Sequence, residues 1–135
     1  MHWRVESEAS LLGVVYTDAG AMTGAPYRVV DDAHWLFAGT GLKKGDIFGK
    51  RSLHKRCPGG ASGHETDKVS PSSPKNVQLL AKGLNRDNGG AEMILYDTAS
   101  GGSVFSASSI NYVSSLPVDD AVSKITANAL RRLLG

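Results

Sequence analysis

Val77-Gln78-Leu79-Leu80-Ala81, Asn85-Arg86-Asp87-Asn88-Gly89-Gly90 and Ala91-Glu92-Met93-Ile94-Leu95-Tyr96-Asp97 together form the stretch on which the fold turns. The first and last pieces are short apolar runs and read as strands. The middle piece is a dense turn signal, because Asn-Gly tolerates the positive φ angles of a tight reversal. Outward toward the C-terminus, Ser100-Gly101-Gly102 turns the chain again. A strand rich in small residues follows over Val104 to Ile110, so 91–97 and 104–110 are expected to pair as an antiparallel hairpin.

The end of the chain carries the clearest helix signal. Pro117 suits a first helical position, where its missing N–H costs nothing. Asp119 and Asp120 then face the positive end of the helix dipole, and Arg131 and Arg132 the negative end. Val118, Val122, Ile125, Ala129 and Leu133 recur at helical spacing and make one apolar face. An isolated helix of this length is marginal in water, so that face must bury against a sheet. Toward the N-terminus, Leu11 to Tyr16, Tyr27 to Val30 and His34 to Ala38 are further strand candidates. Thr17 to Pro26 reads as a loop. Gly49 to Pro74 has almost no apolar periodicity, and a loop that long in a compact domain is usually functional or disordered. The expected fold is therefore α/β, a single mixed sheet with covering helices.

Composition narrows the function classes. A chain of 135 residues makes one domain over 1–135 and can bury one core. Lys+Arg 15 against Asp+Glu 13 gives a net charge of +2, which calls for neither nucleic acid nor an anionic membrane. No apolar run approaches a membrane span. Met1 to Glu6 lacks the pattern of a signal peptide. One cysteine, Cys57, permits no internal disulfide and fits a reducing, cytoplasmic compartment. No period of 20–50 residues repeats.

Four common signatures fail on their spacing. Gly45 falls one residue late after Gly39-Thr40-Gly41 for a dinucleotide fingerprint. Gly49-Lys50-Arg51-Ser52 lacks the hydroxyl directly after lysine that a P-loop needs. His64 stands where a nucleophile elbow needs glycine. No Cys-x-x-Cys exists for structural zinc. His54, Cys57, His64, Glu65 and Asp67 are good ligand types close in sequence, yet His54-x-x-Cys57 alone is unspecific, and for His54 and Cys57 solvated loop groups are the preferred reading. Tyr16, Tyr27, Tyr96 and Tyr112 are each expected to pack the ring and bond the hydroxyl rather than hold a metal. In Gly59 to Asp67, glycines let amides approach a ligand closely. A carboxylate beside an imidazole, Glu65 beside His64, can act as general base. Read from the residues alone, a turn in which Glu65 and Asp67 cap amides or pair with Lys68 is preferred.

Two ordered motifs then change the balance. Gly59-Gly60-Ala61-Ser62-Gly63-His64-Glu65-Thr66-Asp67-Lys68 resembles a Gly-Gly-Ala-x-Gly-x-Glu-x-Asp-[Arg/Lys] signature. Ala91 to Thr98, followed by Gly101-Gly102-Ser103-Val104-Phe105-Ser106-x-x-Ser109, is similar to its companion. Both resemble the C-terminal region of the large (beta) subunit of N,N-dimethylformamidase and its relatives. Val122-Ser123-Lys124-Ile125-Thr126-x-Asn128, Pro26-Tyr27-Arg28 and Phe37-x-Gly39-x-Gly41 extend the likeness from about Leu11 to Leu134.

The resemblance implies a partial domain like the C-terminal part of a class I glutamine amidotransferase-like fold. It implies an amidohydrolase that splits small amides with water at a mononuclear iron held by two tyrosines and a glutamate. Those ligands are expected upstream, with none on this chain. By the same resemblance Glu65, with His64, is the nearby catalytic carboxylate and imidazole, and Gly59, Gly60 and Gly63 form a substrate or oxyanion loop. A protein partner or upstream portion would complete the site, and the chain alone would be inactive. Three readings stay open. An amidohydrolase piece needs Glu65 to point into a cleft, near tyrosines or a missing-partner surface. An interaction module predicts Glu65 exposed or capping a turn. A small metal domain predicts His54, Cys57 and His64 converging.

Overall fold

The computed structural model describes residues 5–135. The expectation drawn from Met1 to Glu6 falls mostly on residues 1–4, outside the described residues. The chain runs through α1 (Ala9–Leu12), β1 (Val15–Thr17), β2 (Gly24–Ala25), β3 (Tyr27–Val29), a 3-10 turn (Trp35–Phe37) and β4 (Ile47–Phe48). It continues through β5 (Ser62–Gly63), β6 (Thr66–Lys68), β7 (Gln78–Gly83), β8 (Glu92–Asp97), β9 (Ser103–Ser106), α2 (Tyr112–Ser115) and α3 (Asp120–Leu133). The fold is mixed in helix and strand, as expected, but the single mixed sheet is not what forms. A five-stranded sheet in the order β4-β3-β7-β8-β9 is joined by two-stranded pairs β1-β6 and β2-β5. Every strand pairing among the described residues is antiparallel, which lends no support to a glutamine amidotransferase-like layering.

The β7–β8–β9 meander follows the sequence reading closely. Asp87 (φ 58) and Asn88 (φ 55) make the reversal before β8. β8 is buried on both faces: Met93 and Leu95 join the main core, while Ile94 and Tyr96 join a second cluster with Val14. That two-sided burial is why its sequence is a continuous apolar run rather than an alternation. A bulge between Leu79 and Ala81 turns Leu80 and Ala81 both toward the main core, as an extra residue in a ladder does.

Helix α3 covers that core with Val122, Ile125 and Ala129. It starts three residues beyond the Pro117 expectation, at Asp120, because Asp119 caps it, its carboxylate accepting from Val122 N at 3.1 Å. Tyr112–Ser115 makes its own short turn beforehand, and Leu133 is exposed, so the apolar face ends at Ala129.

Three strand expectations are corrected. Leu11 and Leu12 are helical and exposed; Gly13 at φ 82 ends the turn, and only Val15 onward is strand. His34 to Ala38 is a 3-10 turn, because His34 Nδ1 accepts from Leu36 N at 3.1 Å and Leu36 and Phe37 are buried in succession, which an alternating strand does not allow. Asn128 Nδ2 fastens this turn at Leu36 O (2.9 Å) and Ala38 O (2.8 Å). Strand β9 stops at Ser106, where Ser108 at φ 63 redirects the chain to pair Ser109 with Thr66. The expected long loop between Gly49 and Pro74 contains β5 and β6. Among the described residues no helix is long and apolar enough to cross a membrane.

Candidate functional site

The glycine-rich loop is built by two backbones crossing at less than side-chain separation. Gly24 pairs with Gly63 and Ala25 with Ser62. A Cβ on Gly24 would lie 2.5 Å from Pro58 O and 2.6 Å from Cys57 O, and one on Gly59 would collide with Gly24 O. A Cβ on Gly63 would collide with Thr23 O and lie 2.8 Å from Gly24 Cα. The glycines are there because another strand of the same chain occupies the space a side chain would need.

A buried polar frame holds the crossing. Ser62 Oγ donates to Asn85 Oδ1 at 2.7 Å and accepts from Ala91 N at 3.0 Å. Asn85 Nδ2 reaches Thr23 Oγ1 at 2.9 Å and Ser62 O at 3.1 Å. Gly63 N donates to Ser109 Oγ at 2.8 Å, and that hydroxyl donates on to Ala61 O at 2.8 Å. Asn111 Nδ2 holds Cys57 O at 2.8 Å and Gly60 O at 3.3 Å. Ser109 closes the second motif of the sequence and Gly63 sits in the first, so this contact shows how the two motifs meet. The roles of Asn85 and Asn111 carried no signal in the sequence.

His64 follows at φ 64, a left-handed conformation that costs a non-glycine residue on the order of 1–3 kcal/mol and persists only where surroundings hold it. They do: His64 N donates to Thr23 O at 3.0 Å, and Met22 N donates to His64 O at 2.8 Å. The bend directs the His64 ring against His54, with Nδ1 3.2 Å from His54 Nε2 and the ring planes at 86°. Cys57, 1% exposed, closes the group, and the ligand atoms of His54, Cys57 and His64 all lie within 4.8 Å of one another.

Glu65 leaves the bend on the surface, its backbone carbonyl accepting from Ile110 N at 3.2 Å. Two of the residues bonded to this bend are exposed and apolar: Met22 is 51% and Ile110 46% accessible. Leu53 and Val113 are exposed too, and Leu53 N donates to Ser114 O at 2.9 Å. A hollow of about 830 Å³ lies elsewhere, lined by Trp35, Asp97, Asn128 and Arg131 among others, and neither Glu65 nor His64 lines it. The turn in which Lys68 pairs with Glu65 or Asp67 does not form, because Lys68 Nζ donates to Gly90 O.

Asp67 is half-buried opposite Tyr16 in β6. Burial raises its pKa above the ordinary carboxylate value, and the charges of Glu8 and Glu65 push it further up. A raised folded-state pKa means the folded chain binds more protons than the unfolded one between the two pKa values, so stability falls as pH rises through that window. Asp67→Asn is therefore expected to raise the melting temperature at pH 7 and to leave it unchanged well below the unfolded Asp pKa of about 3.9. Thermal melts at the two pH values check this.

The tyrosines do not fit an iron site. Tyr27 donates to Ala107 O at 2.6 Å, Tyr96 to Leu11 O, and Tyr112 lies 2.8 Å from Thr126 Oγ1. Burial raises the Tyr27 pKa well above its ordinary value and pushes Tyr112 up to about 12, which opposes a phenolate ligand. Tyr16 is the exposed one, and one phenol does not make a pair.

Comparison with known proteins finds no curated protein that matches. A family model does match, described as N,N-dimethylformamidase beta subunit-like, C-terminal, and it covers residues 1–126. That span takes in the glycine crossing, the His64 bend, Ser109, Asn111 and the start of α3, so the chain belongs to the N,N-dimethylformamidase beta subunit-like C-terminal family.

Proposed function

We propose that this chain forms part of the catalytic surface of an iron-dependent amidohydrolase acting on small amides such as N,N-dimethylformamide, and that it is inactive alone. The observation that carries the reading is the held, left-handed His64, which puts Glu65 on an exposed face between accessible Met22 and Ile110. A carboxylate framed by apolar surface has the character of a wall whose opposite side another chain or domain supplies. The family name, a beta subunit, supports such a partner. Strand β9 (Ser103–Ser106), at one edge of the five-stranded sheet, offers a second place to be covered.

In this proposal Glu65 takes a proton from the attacking water and returns it to the leaving amine. Water's oxygen bonds the carbonyl carbon, the C–N bond breaks, and a carboxylic acid and an amine result. His64 sets the direction in which Glu65 leaves the loop. Gly59 and Gly60 are the positions proposed to offer amides to the developing oxyanion, since Gly63 gives its amide to Ser109. No tyrosine of this chain is assigned to the iron. The single free cysteine suits a reducing, cytoplasmic setting. The exposure of Glu65 also favours a second reading, in which this face binds a partner and performs no chemistry.

The test is amide hydrolysis by the purified chain supplied with ferrous or ferric iron, alone and assembled with the rest of the enzyme. No turnover alone and turnover on assembly is expected. Glu65-dependent turnover by the chain alone would overturn the shared site, and an assembled enzyme that hydrolyses no small amide would overturn the activity.

A further inference from the structure

His54 and Cys57 take no part in the amide chemistry proposed above, His64 enters it only through the backbone bend that aims Glu65, and the three side chains together have the composition of a site for a borderline-soft cation. We propose that these three residues bind a divalent zinc-type ion through two imidazole nitrogens and one thiolate, leaving a fourth position open. Zinc sits about 2.3 Å from sulfur and 2.0–2.1 Å from nitrogen, so tetrahedral donors around it stand roughly 3.3–3.6 Å apart. His54 Nε2 and His64 Nδ1 are already 3.2 Å apart, and one ligand atom from each of the three residues lies within 4.8 Å of the other two. Closing that remainder takes about 1 Å of side-chain movement. Imidazole and thiolate are the ligand types that favour zinc over magnesium or calcium.

The backbone holds all three donors in place. His64 is fixed at φ 64 by its bonds to Thr23 and Met22. Cys57 is 1% exposed, with its carbonyl tied to Asn111. Before an ion binds, His54 Nδ1 accepts from Cys57 N at 3.0 Å, which bends the His54-x-x-Cys57 segment and brings the two side chains together. A buried thiolate is costly without a compensating charge, and a cation between the two rings supplies it. Lys55 and Arg56 are exposed, so solvent screens their repulsion of the ion.

In the metal-free chain the bond from Cys57 N leaves Nδ1 of a neutral His54 unprotonated, so Nε2 carries the proton and donates it to His64 Nδ1. When the ion binds, the Cys57 thiol proton leaves to solvent and the His54 proton moves from Nε2 to Nδ1. That tautomer gives up the bond from Cys57 N, and its new N–H takes an acceptor, as ligating histidines ordinarily do. Binding therefore releases a proton and weakens as pH falls.

The experiment uses the full chain, purified without a histidine tag, reduced and stripped with a chelator. Cobalt(II) serves as the spectroscopic stand-in for zinc. A thiolate-to-cobalt charge-transfer band that saturates at one cobalt per chain and vanishes on adding zinc is expected. Cys57→Ala removes the band. His54→Gln, at a partly exposed position, weakens cobalt binding by more than the roughly 10–100-fold that outer-shell changes cost, with the circular dichroism spectrum unchanged. Absence of the band in the reduced wild-type chain overturns the site, as does cobalt affinity unchanged in His54→Gln. Both readouts are independent of amide turnover, so the site stands or falls apart from the amidohydrolase reading.

Discussion

Gly60→Ala is expected to destabilise the chain by about 4 kcal/mol or more, enough to leave a marginally stable domain largely unfolded. Two costs combine at this position. Gly60 sits at φ 151, where an L side chain is strained on the order of 1–3 kcal/mol. Its added Cβ would also collide with the Ala25 carbonyl and lie 2.6 Å from Pro26 N. These neighbours are backbone atoms, so no rotamer change relieves the overlap. Movement of Ala25 passes directly to Tyr27, which pairs with both Phe48 and Gly83 in the five-stranded sheet. It also strains the bond from buried Asn111 to Gly60 O. Gly101→Ala is the control: Gly101 lies at φ 94 with nothing within 4 Å of its missing Cβ, so it carries the dihedral cost alone. Denaturant midpoints compare the two. A Gly60 variant no worse than the Gly101 variant would show that the backbones do not cross as closely as described.

The parts of the fold that were legible in sequence are those whose local signals agree with their burial. The 91–97 run, the Asn85 to Gly90 turn and the middle of the C-terminal helix face, Val122, Ile125 and Ala129, are read correctly because turn chemistry, length and periodicity point the same way. His34 to Ala38 is misread because a short apolar run cannot distinguish a strand from a buried helical turn. Beside the His34 cap on Leu36 N, what the run itself does not announce is Asn128, about ninety residues away, fastening the middle and the C-terminal end of the turn. Strands β2 and β5 have two residues each and leave no periodicity to detect.

The site divides in the same way. The glycines between Gly59 and Gly63 announce a special backbone, but not what approaches it, since Gly24, Ser62, Asn85 and Ser109 come together only through the tertiary fold. The spacing of His54 and Cys57 is too common to mean anything alone. The left-handed bend at His64 makes it a cluster, and a histidine in that conformation is not announced by its neighbours in sequence.

Glu65→Gln in the assembled enzyme is expected to lower kcat by about 10²–10⁴, the contribution of a positioned acid–base group. Glutamine keeps the shape of the side chain and loses the ability to accept and return a proton. Glu65 is exposed, so stability should change by no more than about 0.5 kcal/mol, and the loss should appear in turnover with the melting temperature of the chain unmoved. The most direct measurement of the account is therefore kcat for a small amide by the assembled enzyme, wild type against Glu65→Gln, with thermal melts of both. A drop of at least about a hundredfold at equal stability is the predicted result. Equal turnover by the two proteins would contradict the account and leave this face a binding surface without chemistry.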